Sequence, residues 1–490
     1  MGITEMKKKQ IAQTAASKDR VSLTTRLGWG VGGFADNAIM NVINILGMVI
    51  YVDYFKLDPF LAGVAMFFPR LFDAITDPVV GNLSDNTHSR WGRRRPYILG
   101  GAVLSALLMP LLWMPPLRET GVNPWYANVP FLWLCIVGSF YAIAYTLFVV
   151  PYTALGYELT TDYDEKTRVI SSRFYFYLVG SLTLPWLYRL CKLDVFESDV
   201  QGARVVSMGF GAVVALCGII PFLVCRERES AQKQATLRIR DAVKNTLTNK
   251  PFLVLMFAYL VVMVGLFSAW NLGLFINIYY VAQGDKALAG QINGTVGSVC
   301  ALVSFLGVYL ITAVSTRLSK KTGLYLGLLF TQAGMIGAWF AINPKWPYGQ
   351  LISNPAIALG LQGAFLMIQS MVADVCDEDE LKTGLRREGM FGSVMSFTQK
   401  LALAFTTLIG GALINLAGFD VDVANESGLP LEVGVRMKSL VLAFQSAGLI
   451  GAMIIFIFYP ITRARAAETR RILDARRAEW QGDPVVGRED

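Results

Sequence analysis

Apolar stretches about 20 residues long recur along the whole chain, and each is long enough to cross about 30 Å of hydrocarbon as a helix. About twelve can be read, at roughly 25–54, 59–83, 97–115, 128–157, 169–190, 203–225, 251–281, 289–316, 322–343, 353–375, 389–417 and 433–462. A soluble core of this size would be broken by polar faces every few residues, and this sequence is not. The predicted fold class is therefore an all-α membrane protein of twelve transmembrane helices. Composition agrees, with 54% hydrophobic and 16% charged residues against about 25% charged in soluble domains.

Most of the 44 lysines and arginines fall in the tails and the even-numbered loops, which predicts that both termini are cytoplasmic. That topology also accounts for the net charge of +8, so no nucleic-acid partner is required. The first twenty-odd residues are polar and basic, without the apolar core of a removable signal. The six cysteines show no CxxC spacing and mostly fall in spans, so neither a disulfide framework nor a zinc site is expected. His88 is the only histidine, which rules out a histidine proton relay and leaves that work to carboxylates. With no nucleophile–base pair or metal cluster at a plausible depth, neither an enzyme nor a cofactor is expected.

The second span, LAGVAMFFPRLFDAITDPVVGNL, carries Asp73 and Asp77 four residues apart on one helical face, with Arg70 on nearly the same side. A charge at bilayer depth costs about 2.5–3.5 kcal/mol on insertion scales. Two such carboxylates do not both stay ionised in a dry site without a cation or proton between them. The pair points to a monovalent coupling ion held by Asp73 and Asp77, with hydroxyls from Thr76 or Thr146. The competing reading is a structural ion pair between Arg70 and Asp73.

The polar stretch 226–250 divides the spans six and six. It predicts a tail (1–24), a six-helix bundle (25–225), a central loop (226–250), a second six-helix bundle (251–462) and a tail (463–490). Each half carries an acidic-then-basic signature after its fourth span, GYELTTDYDEKTR at 156–168 and ADVCDEDELKTGLRREG at 373–389. This is the internal symmetry of a carrier built from parallel repeats. The basic loop SDNTHSRWGRRRPYI reads as an anchor. The tail RARAAETRRILDARRAEW reads as a solvated cytoplasmic helix ahead of a lipid-bound one.

The motifs FDAITDPVVGNLSDNTHSRWGRRRPYI, VVPYTALGYELTTDYDEKTR and DEDELKTGLRREGMFGSV resemble the glycoside–pentoside–hexuronide:cation symporters, the melibiose permease-like family, through nearly all the spans in order. The resemblance implies a major facilitator fold, alternating access, and import of a sugar-like solute with sodium, lithium or a proton across a bacterial inner (plasma) membrane. It places Asp73, Asp77, Thr76 and Thr146 at the family's cation site, Lys400 at its eleventh-span lysine, and Arg173 within a residue of its sugar-contacting arginine. The family's sugar-binding aspartate and stacking tryptophan are replaced by Val149 and Thr153, and its first-span lysine–aspartate pair by Asp36 and Asn37. The cation machinery is kept and the galactoside pocket is not. Sodium-dependent lysophospholipid carriers share the second-span aspartates, so an amphiphile or lysolipid carrier is the alternative.

The solute is expected to meet Asp36, Asn37 and Asn41, which with Asn44 form a polar stripe at helical spacing, together with Arg173 and Tyr177. Polyol hydroxyls need paired donors and acceptors beside an apolar wall. From the second half, Trp270, Asn271, Gln362 and Lys400 are candidates. The alternative for the asparagines is hydrogen bonding between helices. Gly30, Gly32 and Gly33 read as close helix contact, since no strand precedes them to make a phosphate loop. The expected partners are a small solute and membrane lipid, with the chain acting as a monomer.

Overall fold

A computed structural model describes residues 20–116, 128–160, 163–227, 249–268, 270–384, 388–426 and 428–482. Most of the expected central loop, the first nineteen residues of the N-terminal tail and the end of the C-terminal tail lie outside the described residues. So do Leu385, Arg386 and Arg387 of the second loop signature. The long helices are α1 (Leu23–Tyr54), α2 (Pro59–Asn86), α3 (Arg95–Leu111), α4 (Val129–Glu158), α5 (Tyr163–Thr183) and α6 (Asp199–Val224). They continue as α7 (Lys250–Phe267), α8 (Lys286–Arg317), α9 (Lys320–Ala341), α10 (Gln350–Thr383), α11 (Glu388–Leu416), α12 (Leu431–Ile457) and α13 (Arg463–Gly482).

Among the described residues, ten helical stretches are long and apolar enough to cross a membrane. Two expected spans fall short of that measure for different reasons. The third is only 17 residues long, and the fifth opens on the charged run YDEKTR. The fifth is also broken after Thr183 by a 3-10 turn, Leu184–Trp186, before a last helical turn at Leu187–Cys191. Pro185 has no N–H to give the preceding turn, which ends the α-helix there.

The chain forms two compact units. The first comprises Met1–Lys233, Leu274–Ser298 and Thr407–Pro430, and the second Gln234–Gly273, Val299–Thr406 and Leu431–Asp490.

In the first unit, small residues let α1 approach α4 and α5. A Cβ at Gly30 would meet Ser172 Oγ at 2.8 Å, and one at Gly32 or Gly33 would overlap the Tyr152 ring or the Arg173 carbonyl. The glycines of the first span are thus close contacts. Below them Trp29 donates to the Tyr152 carbonyl at 3.1 Å and Tyr152 returns its hydroxyl to the Trp29 carbonyl at 2.9 Å. Their rings stack with centroids 5.1 Å apart. This exchange satisfies both polar tips of two buried aromatics, as burial requires. At the cytoplasm-facing end expected from the sequence, Glu227 accepts from the backbone N–H groups of Arg93, Arg94 and Arg95 and so caps α3. Arg93 and Arg94 both pair with Glu158, at 2.8 and 2.9 Å.

The second unit packs α9 on α10 and α7 on α12 around Phe252, Leu324, Phe391, Leu449 and Phe456. Its acidic signature is likewise ion-paired: Lys320 reaches Asp374 at 2.6 Å, and Lys382 reaches Glu378 at 2.6 Å. Helix α13 contributes Arg465 to Glu378 at 2.5 Å and Arg470 to Asp377 at 3.2 Å. The tail expected as a solvated helix is therefore tied to α10, because its arginines find three clustered carboxylates.

Gly156 lies directly against Trp29, and a side chain there would overlap the indole. Gly100, on the same unit's α3, has open space around it. Overpacking costs about 1–3 kcal/mol, so Gly156→Val is expected to lower the melting temperature of the purified protein by several degrees, while Gly100→Ala leaves it unchanged.

Candidate cation and solute site

Helix α2 starts cleanly, with the Asp58 carboxylate accepting from the Phe60 and Leu61 N–H groups and Pro59 in its first turn. Two prolines lie within it, Pro69 and Pro78. Each lacks an N–H, so the carbonyl four residues earlier loses its helical donor. For Pro78 that carbonyl belongs to Ala74, between Asp73 and Asp77.

Asp73 is 3% exposed. Its Oδ1 accepts the hydroxyl of the fully buried Thr146 on α4 at 2.9 Å, and Thr76 Oγ1 stands 3.2 Å from Thr146 Oγ1. Gly138 brings Pro69 close to α4 and so sets the spacing between the two helices. Asp77 is half-buried one turn further along α2. Arg70 donates to Asn44 Oδ1 at 2.6 Å and to the Met40 carbonyl at 3.4 Å, so its hydrogen bonds go across to α1. A carboxylate, two hydroxyls and a freed carbonyl are hard oxygen donors of the kind a small cation takes.

The second cluster is built on Asp36, 4% exposed on α1. Arg173 of α5 donates to its Oδ2 at 2.7 Å and Tyr145 of α4 to its Oδ1 at 2.9 Å. The guanidinium also lies over the Tyr152 ring at 5.5 Å. Both carboxylate oxygens are thus occupied and the buried charge is paired, which is the condition under which such charges persist.

The asparagine stripe divides by role. Asn37 gives its amide to the Tyr177 carbonyl and Ser181 Oγ, both at 2.8 Å, and its Oδ1 accepts from Asn41 at 2.7 Å. This is the interhelical bonding weighed against solute contact, and it spends the Asn37 amide on holding α1 to α5. Tyr177 enters through its backbone carbonyl, with its side chain half-buried.

In the second unit, Gln362 is exposed on α10 and Lys400 half-buried on α11. Trp270 and Asn271 start the helix Trp270–Phe275, but their side chains lie outside the described residues. Sequence reasoning missed Tyr145 and Tyr152. Their signal was present, since Tyr141, Tyr145 and Tyr152 recur at helical spacing along α4.

A helical membrane fold with carboxylates buried at mid-helix fits a transporter. The family described as MFS/sugar transport protein matches residues 28–463, and the chain belongs to that family. It is 25% identical over 476 residues to the putative glycoside/cation symporter YagG of Escherichia coli (strain K12), covering 95% of this chain and 98% of that protein. It is 24% identical over 508 residues to the sodium-dependent lysophosphatidylcholine symporter 1-B of Danio rerio, covering 94% and 91%. In fold it is similar to the crystal structure of a D-xylose-proton symporter, with a TM-score of 0.61 and 15% identity over 90% of this chain and 98% of that one. The chain is a cation-coupled symporter, an integral protein of the bacterial plasma membrane and not an enzyme.

Removing one member of a buried ion pair costs about 3–5 kcal/mol because its partner is left uncompensated. Arg173→Ala is therefore expected to lower thermal stability strongly, and adding Asp36→Asn to recover much of the loss. Calorimetric or fluorescence unfolding of the purified single and double variants measures this coupling.

Proposed function

We propose that the chain imports a neutral sugar-like solute, a glycoside or pentoside, together with one monovalent cation, by alternating access across twelve spans with both termini inside. The twelve are the ten long apolar stretches plus α3 and α5. A single chain acts as the transporter, arranged as the two six-helix bundles 25–225 and 251–462. The observation that carries the reading is Asp73, a carboxylate at mid-helix in a membrane span, 3% exposed and held by the Thr146 hydroxyl.

Cation occupancy has a different free energy in each state of a carrier, and that difference is what couples ion to solute. Asp73 and Asp77 supply the charge, and Thr76, Thr146 and the Ala74 carbonyl supply neutral oxygens. Binding relieves the repulsion between the two carboxylates and permits a closure that buried charge otherwise opposes. The sodium dependence of the zebrafish relative supports sodium as the ion.

For the solute, Arg173 is already neutralised by Asp36. A uronate would have to compete with that carboxylate, whereas hydroxyls accept and donate at the pair's edges without separating charge. Asn41 and the rings of Tyr145, Tyr152 and Tyr177 supply the polar edge and apolar wall of such a pocket. From the second unit, Trp270, Asn271, Gln362 and Lys400 are proposed as solute-facing.

The test is uptake into proteoliposomes under an imposed sodium or proton gradient, across glycosides, pentosides, uronates and lysolipids. Sodium-driven uptake of a neutral glycoside or pentoside is expected, and Asp77→Asn is expected to reach the membrane folded yet lose the sodium stimulation. Lysolipid movement without sugar uptake would replace the solute assignment, and normal stimulation in Asp77→Asn would remove the ion site.

A further inference from the structure

Away from this site, the first unit holds a compact charge cluster that the proposed cation and solute chemistry does not use. Lys286, the first residue of α8, pairs with Asp53 of α1 and stands 3.5 Å from Asp199 at the start of α6. Asp199 also pairs with Lys192, which lies over the Tyr188 ring at 5.4 Å. Tyr279 donates its hydroxyl to Asp53 Oδ1 at 2.8 Å. Two acids and two bases thus neutralise one another, and Asp53 is only 6% exposed.

The backbone beneath this cluster is irregular in a matched way. Asp53 belongs to a π-helical turn, Ile50–Tyr54, and Tyr279 to a second, Ile276–Val281. Each turn is followed by a non-glycine residue at positive φ, Lys56 at 54° and Gln283 at 50°. The two turns close the first spans of the two sequence halves. π-turns are rare and occur mostly at functional positions, and left-handed backbone at a non-glycine residue carries strain.

Beside the cluster, α8 meets the end of the fifth span through glycines. A Cβ at Gly290 would come within 3.0 Å of Arg189, and one at Gly294 or Gly297 within 2.5 Å of Trp186 or Pro185. Trp186 Nε1 donates to Ser298 Oγ at 2.9 Å and Asn293 to the Pro185 carbonyl at 3.2 Å. The Trp186 and Pro185 side chains seat directly on bare glycines of α8, and a few hydrogen bonds and the ion pairs complete the seam.

We infer that Asp53, Lys286, Asp199 and Lys192 form a latch that closes the outer entrance, with the two π-turns as the elements that rearrange when it opens. This rests on the proposed topology, which puts the end of α1 and the starts of α6 and α8 on the outer side. Closed, the four charges compensate one another. Open, each is exposed to water and solvated singly, so the two states are close enough in free energy to interconvert.

The test reads access without any solute. An Asn293→Cys reporter is placed in the full chain with its six native cysteines replaced by serine, and labelled in intact cells by a membrane-impermeant maleimide. Asp53→Asn and Lys286→Met are each expected to speed labelling about tenfold or more. The double variant Asp53→Asn/Lys286→Met, with no uncompensated charge left, is expected to label no faster than the faster single variant. Should Asp53→Asn fail to reach the membrane, Tyr279→Phe removes one hydrogen bond from the same carboxylate and must still raise labelling. Unchanged labelling at normal membrane levels, or single effects that simply multiply in the double variant, would reduce the cluster to a structural brace. Since no solute enters the assay, an error in the solute assignment leaves its outcome unaffected.

Discussion

A carboxylate in the middle of a membrane helix has to be neutralised, and that requirement organises the first unit. Asp36 meets it permanently, through Arg173 and Tyr145. Asp73 receives a hydroxyl from Thr146, which orients the carboxylate. Asp36 is thus a fixed part of the scaffold, and Asp73 is proposed as the ligand of a cation that comes and goes.

The scaffold makes that distinction possible by bringing helices very close. Gly30, Gly32 and Gly33 seat α1 on α4 and α5, and the reciprocal Trp29–Tyr152 bonds lock the contact. Only at such separations can an aspartate on α1 reach both an arginine on α5 and a tyrosine on α4. Asn37 adds a third tie, between α1 and α5. The acidic signatures that repeat in the two halves serve another purpose. Glu158 in one unit and Asp374 with Glu378 in the other gather basic side chains at the helix ends.

Much of this was legible in the sequence, for identifiable reasons. Hydrophobic length located ten apolar helices among the described residues, most of them within a few residues of their ends, and the i, i+4 spacing of Asp73 and Asp77 put both on one face of α2. Asp36 and Arg173 were both read as residues of the solute site, and they are paired with each other. Other features leave no mark on hydrophobic periodicity. A π-turn adds one residue over five or six, too little to shift an apolar pattern, so Ile50–Tyr54 and Ile276–Val281 read as ordinary helix. Tyr145 sits in an apolar run where a tyrosine reads as core. The docking of α13 depends on three carboxylates that α10 gathers at its end, far away along the chain. Asn37 looked like a solute contact because sequence shows a polar group and not the partners that use it up.

On the proposed reading, the second helix holds a small cation even when no solute is present. Titration calorimetry of the purified wild-type chain with sodium, in solute-free buffer, measures this directly. Saturable binding of a single ion per chain is expected, abolished when Asp73 is replaced by asparagine. Equal sodium binding by both proteins, or none by the wild type under any monovalent salt, would contradict it.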